Sequence, residues 1–171
     1  KFLGLAVTLA AALGLGFGVS GLVIASTGGG GDPRGYAALV GLAFVLALAM
    51  LSLGMLVSVL SRRGSVATGV ALFLWLALAF LSDLGLMGST VAFRLHVSEL
   101  FALALINPLQ VFKMSVLGSV HATLDVLGPA GTYAVQAFGD RLGWMFAGAL
   151  SAWVLVPLGV SWAIFSRRGQ A

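Results

Sequence analysis

The chain has no cysteine and very few charged residues. The absence of cysteine excludes disulfides, thiolate metal sites and cysteine nucleophiles. Charged residues make up 8% of the 171 positions, whereas 60% are hydrophobic and the mean hydropathy is +1.12. A water-soluble domain of this composition could not cover its surface with polar groups. The basic residues lie at the ends of apolar stretches and form no stripe, which excludes nucleic acid as a partner.

Charge is missing altogether from four long stretches, residues 2–26, 35–61, 64–82 and 142–166. Each reaches or approaches the roughly 20 residues with which an α-helix crosses about 30 Å of hydrocarbon. We therefore predict an all-α integral membrane protein that forms a single transmembrane domain over 1–171. The predicted spans lie at about residues 2–26, 35–60, 65–88 and 143–166, with an outer helical segment at 89–142.

The two ends of these spans differ in charge. One end carries five basic residues and no acid: Lys1, Arg62, Arg63, Arg167 and Arg168. The other end carries all five acids together with four basic residues. Short loops rich in lysine and arginine stay in the cytoplasm. The pattern therefore predicts a multi-pass protein of the bacterial inner membrane with both chain ends in the cytoplasm.

A further apolar stretch at residues 100–120 contains Asn107-Pro108. A crossing here would export the basic C-terminus and would break the helix in the middle of the membrane, where a freed backbone group is costly. Asparagine favours the N-cap of a helix and proline its first turn. We predict two short helices, 98–106 and 108–117, that are re-entrant or interfacial.

The second of these short helices has a predicted apolar stripe, formed by Leu109, Phe112 and Val116. Gln110 and Lys113 lie off this stripe, which suits an interfacial helix. We therefore predict that Asn107 and Pro108 begin the helix, and that Gln110 and Lys113 are accessible to an outer partner.

Small residues recur in the first span at every fourth position, in the order Ala6, Ala10, Gly14 and Gly18. This spacing predicts a face on which another helix packs closely. The overlapping Gly18-Val19-Ser20-Gly21 has the form used by intramembrane serine proteases, which need a histidine at similar depth. The two histidines lie in the outer segment, so helix packing is the favoured interpretation.

Other candidate sites have weaker support. The four glycines at 28–31 lack the Lys-Ser or Lys-Thr pair of a P-loop, so we interpret them as an outer turn and expect no ATP site in this chain. Imidazole and thioether groups suit copper, but the spacing of the outer histidines and methionines fixes no geometry: His96, His121, Met87, Met114 and Met145. Asp83, near the outer end of the third span, is either a functional carboxylate or an interfacial one.

Two segments resemble parts of known membrane proteins: INPLQVFKM at residues 106–114 and LDVLGPAG at 124–131. They are similar to segments of ABC-2-type transporter permeases, and most of all to NosY-like permeases, which serve maturation of the copper centres of nitrous oxide reductase. A basic turn at 61–69 before a span that contains Asp83, and Phe-Ser-Arg-Arg at 165–168, extend the likeness over the whole chain. NosY-like permeases have six spans, so this chain would match spans three to six.

The resemblance implies a permease that is not itself an enzyme and has no catalytic, cofactor or metal residue. ATP and Mg²⁺ would bind a separate ABC ATPase, a second permease copy would complete a dimer, and copper would be handled by a periplasmic partner. The predicted ATPase contact is Arg62, Arg63 and Ser65, because guanidinium groups pair with acidic groups. The predicted outer gate is Asn107, Pro108, Gln110 and Lys113. The alternatives are an exporter of another cargo, such as a lipid, peptide or drug, and a serine hydrolase that uses Ser20.

Overall fold

The computed structural model describes residues 1–27, 32–61, 63–92, 96–119 and 129–168, with the backbone alone at 81–92, 97, 129–132, 140 and 168. Helices account for almost all of these residues. They are α1 Phe2–Ser26, α2 Pro33–Leu60, α3 Gly64–Ala92, α4 Val97–Leu105, α5 Pro108–Ser119, α6 Pro129–Phe138 and α7 Leu142–Arg168, with a 3₁₀ turn Gly139–Arg141 before α7.

Among the described residues, three helices are long and apolar enough to cross a membrane: α1, α2 and α7. The Gly64–Phe80 part of α3 is a shorter apolar stretch, and the whole helix has 29 residues, or about 43 Å of length. The prediction of an all-α membrane fold is confirmed. Below, the outer end of the bundle is the end at which α2 and α7 begin, and the inner end is the end at which they finish.

The start of α2 is fixed by side chains at and just after its N-cap. The Asp32 carboxylate accepts hydrogen bonds from the backbone N–H groups of Arg34 and Gly35, each at 3.0 Å, and Pro33 occupies the first turn. This is a favourable start for a helix, because the first N–H groups lack partners within it. The Tyr36 hydroxyl donates to the Phe17 carbonyl, and its ring packs on Gly21. These contacts attach α1 to α2 near the outer end.

The most extensive helix contact in the described structure joins α2 to α7, two parallel helices that are far apart in the sequence. Helix α1 lies at the edge of the bundle and has no buried residue. Helix α5 packs against both α2 and α7, and makes smaller contacts with α3 and α4. A helix of 12 residues thus lies between three longer ones, with the shorter α4 beside it.

The buried core lies in the outer part of the bundle, around Phe101 of α4, which is 4% exposed. Its ring centroid is 5.9 Å from that of Tyr133, 5.5 Å from that of Phe138 and 6.5 Å from that of Phe146. These separations fall in the range of favourable aromatic pairs. The short helices α4 and α6 are therefore held to the start of α7 by an aromatic cluster.

Candidate functional site

Helices α4 and α5 form a pair that is bent by 107° at a short break. The bend consists of Ile106 and Asn107, and Pro108 is the first residue of α5. Proline suits that position because it has no N–H to leave without a partner. We call α4, Ile106, Asn107 and α5 the broken hairpin.

Both arms of the broken hairpin pack against the same third of α7. Leu100, Phe101 and Ala104 of α4 share one buried cluster with Val111 and Met114 of α5, and the α7 members of that cluster are Leu142, Phe146 and Leu150. All three lie within the first nine residues of α7. Both arms of the hairpin therefore share the buried core in the outer part of the bundle.

Asn107 anchors the tip of the hairpin to α3. Its side chain is 8% exposed. The Oδ1 atom accepts from the Leu109 N–H at 3.0 Å, which caps α5, and Nδ2 donates to the Leu78 carbonyl at 2.6 Å. Leu78 lies 14 residues into α3, or about 21 Å from the inner end of that helix, which places the tip near its middle. An irregular backbone at this depth has to be satisfied by protein.

Trp153 of α7 supplies a second bond to the tip. Its Nε1–H donates to the Leu105 carbonyl at 3.3 Å. Leu105 is the last residue of α4, and a helix leaves its last four carbonyls without an intrahelical partner. Trp153 lies 11 residues, or about 16 Å, from the start of α7. The α3 and α7 contacts thus agree that the tip reaches the central part of the bundle.

A third bond links Trp153 to α2 and depends on Pro157. Proline has no N–H, so Pro157, inside α7, leaves the carbonyl four residues before it, that of Trp153, without its usual donor. The Ser52 hydroxyl, fully buried, lies 3.1 Å from that carbonyl oxygen and 2.8 Å from the Ala49 carbonyl oxygen. Serine side chains commonly satisfy carbonyls freed by proline in membrane helices. We call Ser52, Trp153, Asn107 and the carbonyls they bond the polar seam.

The side chains of the polar seam join the tip of the broken hairpin to α3, to α7 and, through Trp153, to α2. Comparison with known proteins bears on what such an arrangement serves. A family model described as ABC-2 family transporter protein matches residues 1–170. The chain belongs to this family. No curated protein and no solved structure matches it.

The apolar helices and the ABC-2 family make the chain a multi-pass membrane protein, and the family, whose members are transporter components, supports a permease role. The family implies that the chain lies in the membrane and has an ABC ATPase as a partner.

The structure corrects the predicted exposure of Gln110. This side chain is 2% exposed, although the helical pattern had placed it facing away from the bundle. The buried residues of α5 are Pro108, Gln110, Val111 and Met114, whereas Leu109 and Phe112 of the predicted stripe are only partly buried. The reason is that α2 and α7 both pack on α5, so no single stripe faces the core. Lys113 is half-buried.

The predicted ATPase contact lies at the inner end, between α2 and α3. Helix α2 finishes at Leu60, and α3 begins at Gly64. Ser65 is therefore in the first turn of α3 rather than in a loop, and it is exposed, as is Arg63. Arg62 lies outside the described residues. Within the segment 61–69, the residues from Gly64 onward are therefore the first turns of α3.

The predicted packing face of α1 is mostly uncovered. Ala10, Gly14 and Gly18 are exposed, and a Cβ atom added to Gly14 or Gly18 would meet nothing within 4 Å. The face of α1 that is partly buried contains Ala6, Leu9, Leu13, Phe17 and Gly21. The α1–α2 contact therefore uses a face rotated from the small-residue series, and a helix partner for that series stays a prediction.

The remaining candidates are dispersed. The Ser20 hydroxyl bonds the Gly16 carbonyl of its own helix at 2.9 Å, which is ordinary for a serine in a helix. His96 precedes α4 and is exposed, and its backbone N–H donates to the Glu99 carboxylate at 2.9 Å. Met114 is fully buried in the core. His121 and the Asp83 and Met87 side chains lie outside the described residues. Among the described residues, no group of three histidine or carboxylate side chains could hold a metal ion.

Proposed function

We propose that the chain is the permease half of an ABC-2 transporter in which the broken hairpin is the outer gate. The observation that carries this proposal is that the hairpin tip reaches the middle of the bundle while both its arms lie at the outer end. Irregular backbone at membrane depth occurs where it is buried in protein or lines a cavity, and such elements shift in transporters.

The polar seam would couple the gate to the long helices. The acceptor of each bond is a backbone carbonyl of a long helix or of the hairpin. Sliding of α3 or α7 by one turn would therefore break the bond or move it to another carbonyl. A crevice of about 270 Å³ borders Leu105, Trp153 and Pro157, which leaves room for the tip to move. Closure of the ATPase would favour one of two arrangements of the spans, as any ligand shifts a two-state equilibrium.

The inner end would meet the ATPase. It carries the exposed Arg63 and Arg167 and is the end at which Lys1, Ser61 and Phe165 border one cavity. Basic residues in short loops indicate the cytoplasmic side, so both chain ends would lie in the cytoplasm of a bacterial inner membrane. ATP and Mg²⁺ would be bound by the ATPase, and a second permease copy would complete the complex.

Two variants at opposite ends of the bundle test this orientation. Replacing Arg62 and Arg63 with glutamine should reduce copurification of the ATPase, because their guanidinium groups can pair with its acidic side chains. Arg34→Gln removes an exposed arginine from the outer end and should leave copurification unchanged. Equal effects of the two changes, or none from the first, would show that the ATPase docks elsewhere.

The finer proposal is that the transporter is NosY-like and serves copper-centre maturation of nitrous oxide reductase through a periplasmic copper-handling protein. Its support is the likeness of residues 106–114 and 124–131 to NosY-like permeases. With Gln110 buried, the partner contact is assigned to Lys113. Lys113→Glu should then lower copper loading of the reductase while leaving ATPase copurification intact. Normal loading in a strain without this chain would instead indicate export of a lipid, peptide or drug.

A further inference from the structure

Helix α7 is divided into two parts by Pro157. The proline removes one intrahelical hydrogen bond, and its ring crowds the carbonyl of Trp153, four residues earlier. Sharp bends in long helices arise mainly at proline and at a few other local interruptions of the helical bonds. The part of α7 before the proline is fixed in the outer core through Leu142, Phe146 and Leu150, and no residue after it belongs to the hydrophobic core of the described structure. A change of bend at Pro157 therefore moves the inner part of α7.

The Ser52 hydroxyl of α2 lies between two acceptors at this position. Its oxygen is 2.8 Å from the Ala49 carbonyl oxygen and 3.1 Å from the Trp153 carbonyl oxygen. A hydroxyl group has one proton to donate, so only one of these carbonyls receives a full hydrogen bond at a time. The Ala49 carbonyl also accepts the helical N–H four residues further along α2, whereas the Trp153 carbonyl has no such donor because of Pro157. The two positions of the proton therefore differ in whether α7 is bonded to α2.

Trp153 connects this hydroxyl to the broken hairpin. Its backbone carbonyl faces Ser52, and its indole Nε1–H donates to the carbonyl of Leu105, the last residue of α4. The direction of the Trp153 carbonyl changes with the bend of α7, because this carbonyl lies opposite the proline ring. The indole moves with the backbone of the same residue, so a change of bend at Pro157 reaches the hairpin tip.

We propose that residues 153–157 form a hinge in α7, that the Ser52 hydroxyl changes its acceptor from Trp153 to Ala49 as the hinge bends, and that Trp153 transmits the movement to the hairpin tip. Two discrete arrangements of a packed element are what a switching transition needs. The trigger of the hinge rests on the function proposed above, in which the ATPase acts at the inner end. The hinge itself is a property of this chain.

Distances between pairs of spin labels test the hinge in the chain alone, because the sequence has no cysteine and labels can be attached at chosen positions. The inner pair joins Val66, near the start of α3, to Arg167, near the end of α7, and both are exposed. Arg167 lies ten residues, or about 15 Å, beyond Pro157, so a change of bend of about 20° moves it by about 5 Å. The control pair, Ala37 and Gly143, joins the outer parts of α2 and α7.

The inner pair of the wild-type chain should show two distances about 5 Å apart. Ser52→Ala should raise the population of the more bent form about three-fold, the factor that corresponds to one average hydrogen bond between membrane helices. Pro157→Ala restores the missing N–H and should leave a single distance. Neither variant should alter the control pair. Identical inner distances in the wild-type chain and both variants would overturn the hinge, as would equal changes in the control pair, which would indicate general loosening of the bundle.

A single label at Ile106, exposed at the hairpin tip, tests the role of Trp153. Ser52→Ala should change the mobility of this label in the wild-type background and should have no effect in Trp153→Phe, which lacks the donor to Leu105. An effect that persists without the indole would overturn transmission through Trp153. Addition of the ATPase with ATP should shift the inner pair towards one distance. An inner pair that responds to Ser52→Ala and Pro157→Ala but not to the ATPase would contradict the proposed function and not the hinge.

Discussion

The bond between Ser52 and the Trp153 carbonyl should matter only because residue 157 is proline. In Ser52→Ala that carbonyl, in a partly buried contact between α2 and α7, loses its donor. Hydrogen bonds between membrane helices average about 0.6 kcal/mol and reach about 1.7 kcal/mol, and a buried group left without a partner costs about 1–3 kcal/mol. We expect Ser52→Ala to lower the free energy of unfolding by about 1.5 kcal/mol, because no neighbouring N–H can replace the hydroxyl.

In Pro157→Ala the new N–H restores the ordinary helical bond to the Trp153 carbonyl. Ser52→Ala made in that background should therefore cost less than about 0.5 kcal/mol, since only the shared bond to the Ala49 carbonyl is lost as well. The double-mutant cycle then gives a coupling energy of about 1 kcal/mol between positions 52 and 157, whatever volume each change removes by itself.

The measurement is reversible unfolding in mixed micelles, followed by tryptophan fluorescence. Ser20→Ala is the matched control, because that hydroxyl bonds only a carbonyl of its own exposed helix, and it should be neutral within error. If Ser52→Ala lowers the free energy of unfolding equally in both backgrounds, the hydroxyl does not replace the N–H donor that Pro157 lacks. The proposed role of Ser52 in the polar seam would then be wrong.

Three further predictions concern the broken hairpin. Asn107→Ala removes both the cap of α5 and the bond to Leu78, and should lower the free energy of unfolding by about 1.5 kcal/mol in the same assay. No change would show that Asn107 does not stabilise the contact between the hairpin tip and α3. Trp153→Phe keeps an aromatic ring but loses the donor to the Leu105 carbonyl, so we expect the free energy of unfolding to fall by about 0.6 kcal/mol. An unchanged free energy would show that this long hydrogen bond does not contribute to stability. Single cysteines at Ser98 and Thr123 should both react with an impermeant maleimide from outside, and one at Gln170 should not; opposite accessibility of the first two would mean that the hairpin crosses the membrane.

The long helices and the break between the short ones follow from simple features of the sequence. Uncharged stretches of membrane length become helices because every backbone group in hydrocarbon must be satisfied within the segment. Asn107-Pro108 combines a capping side chain with a residue that lacks an N–H, so a helix start at that point is predictable without knowledge of the tertiary structure.

The buried face of α5 could not be found in the same way. A helical stripe predicts burial when one face is covered, but α5 packs against both α2 and α7, and Gln110 is enclosed between neighbours that come from distant parts of the chain. The same limit applies to α1, whose small residues indicate where a helix could pack but not whether one does.

The polar seam was missed although part of its signal was present. Pro157 lies inside an uncharged stretch of spanning length, and proline there frees the carbonyl of Trp153 by covalent structure alone. A donor on a neighbouring helix was therefore to be expected. Which donor satisfies it could not be predicted, because Ser52 is one of several serines in the apolar stretches and only the packing of α2 on α7 selects it.

The pairing of α2 with α7 has a consequence for how the chain is made. Ser52 and Trp153 are 101 residues apart, so at roughly 5–20 residues per second α7 is synthesised some 5–20 s after α2. During that interval α2 resides in the bilayer without its principal partner, and the Ser52 hydroxyl is satisfied by the Ala49 carbonyl of its own turn. Helix α7 therefore pairs with α2 only after the whole intervening segment has been made, and a ribosome that stalls before α7 leaves α2 inserted without this partner.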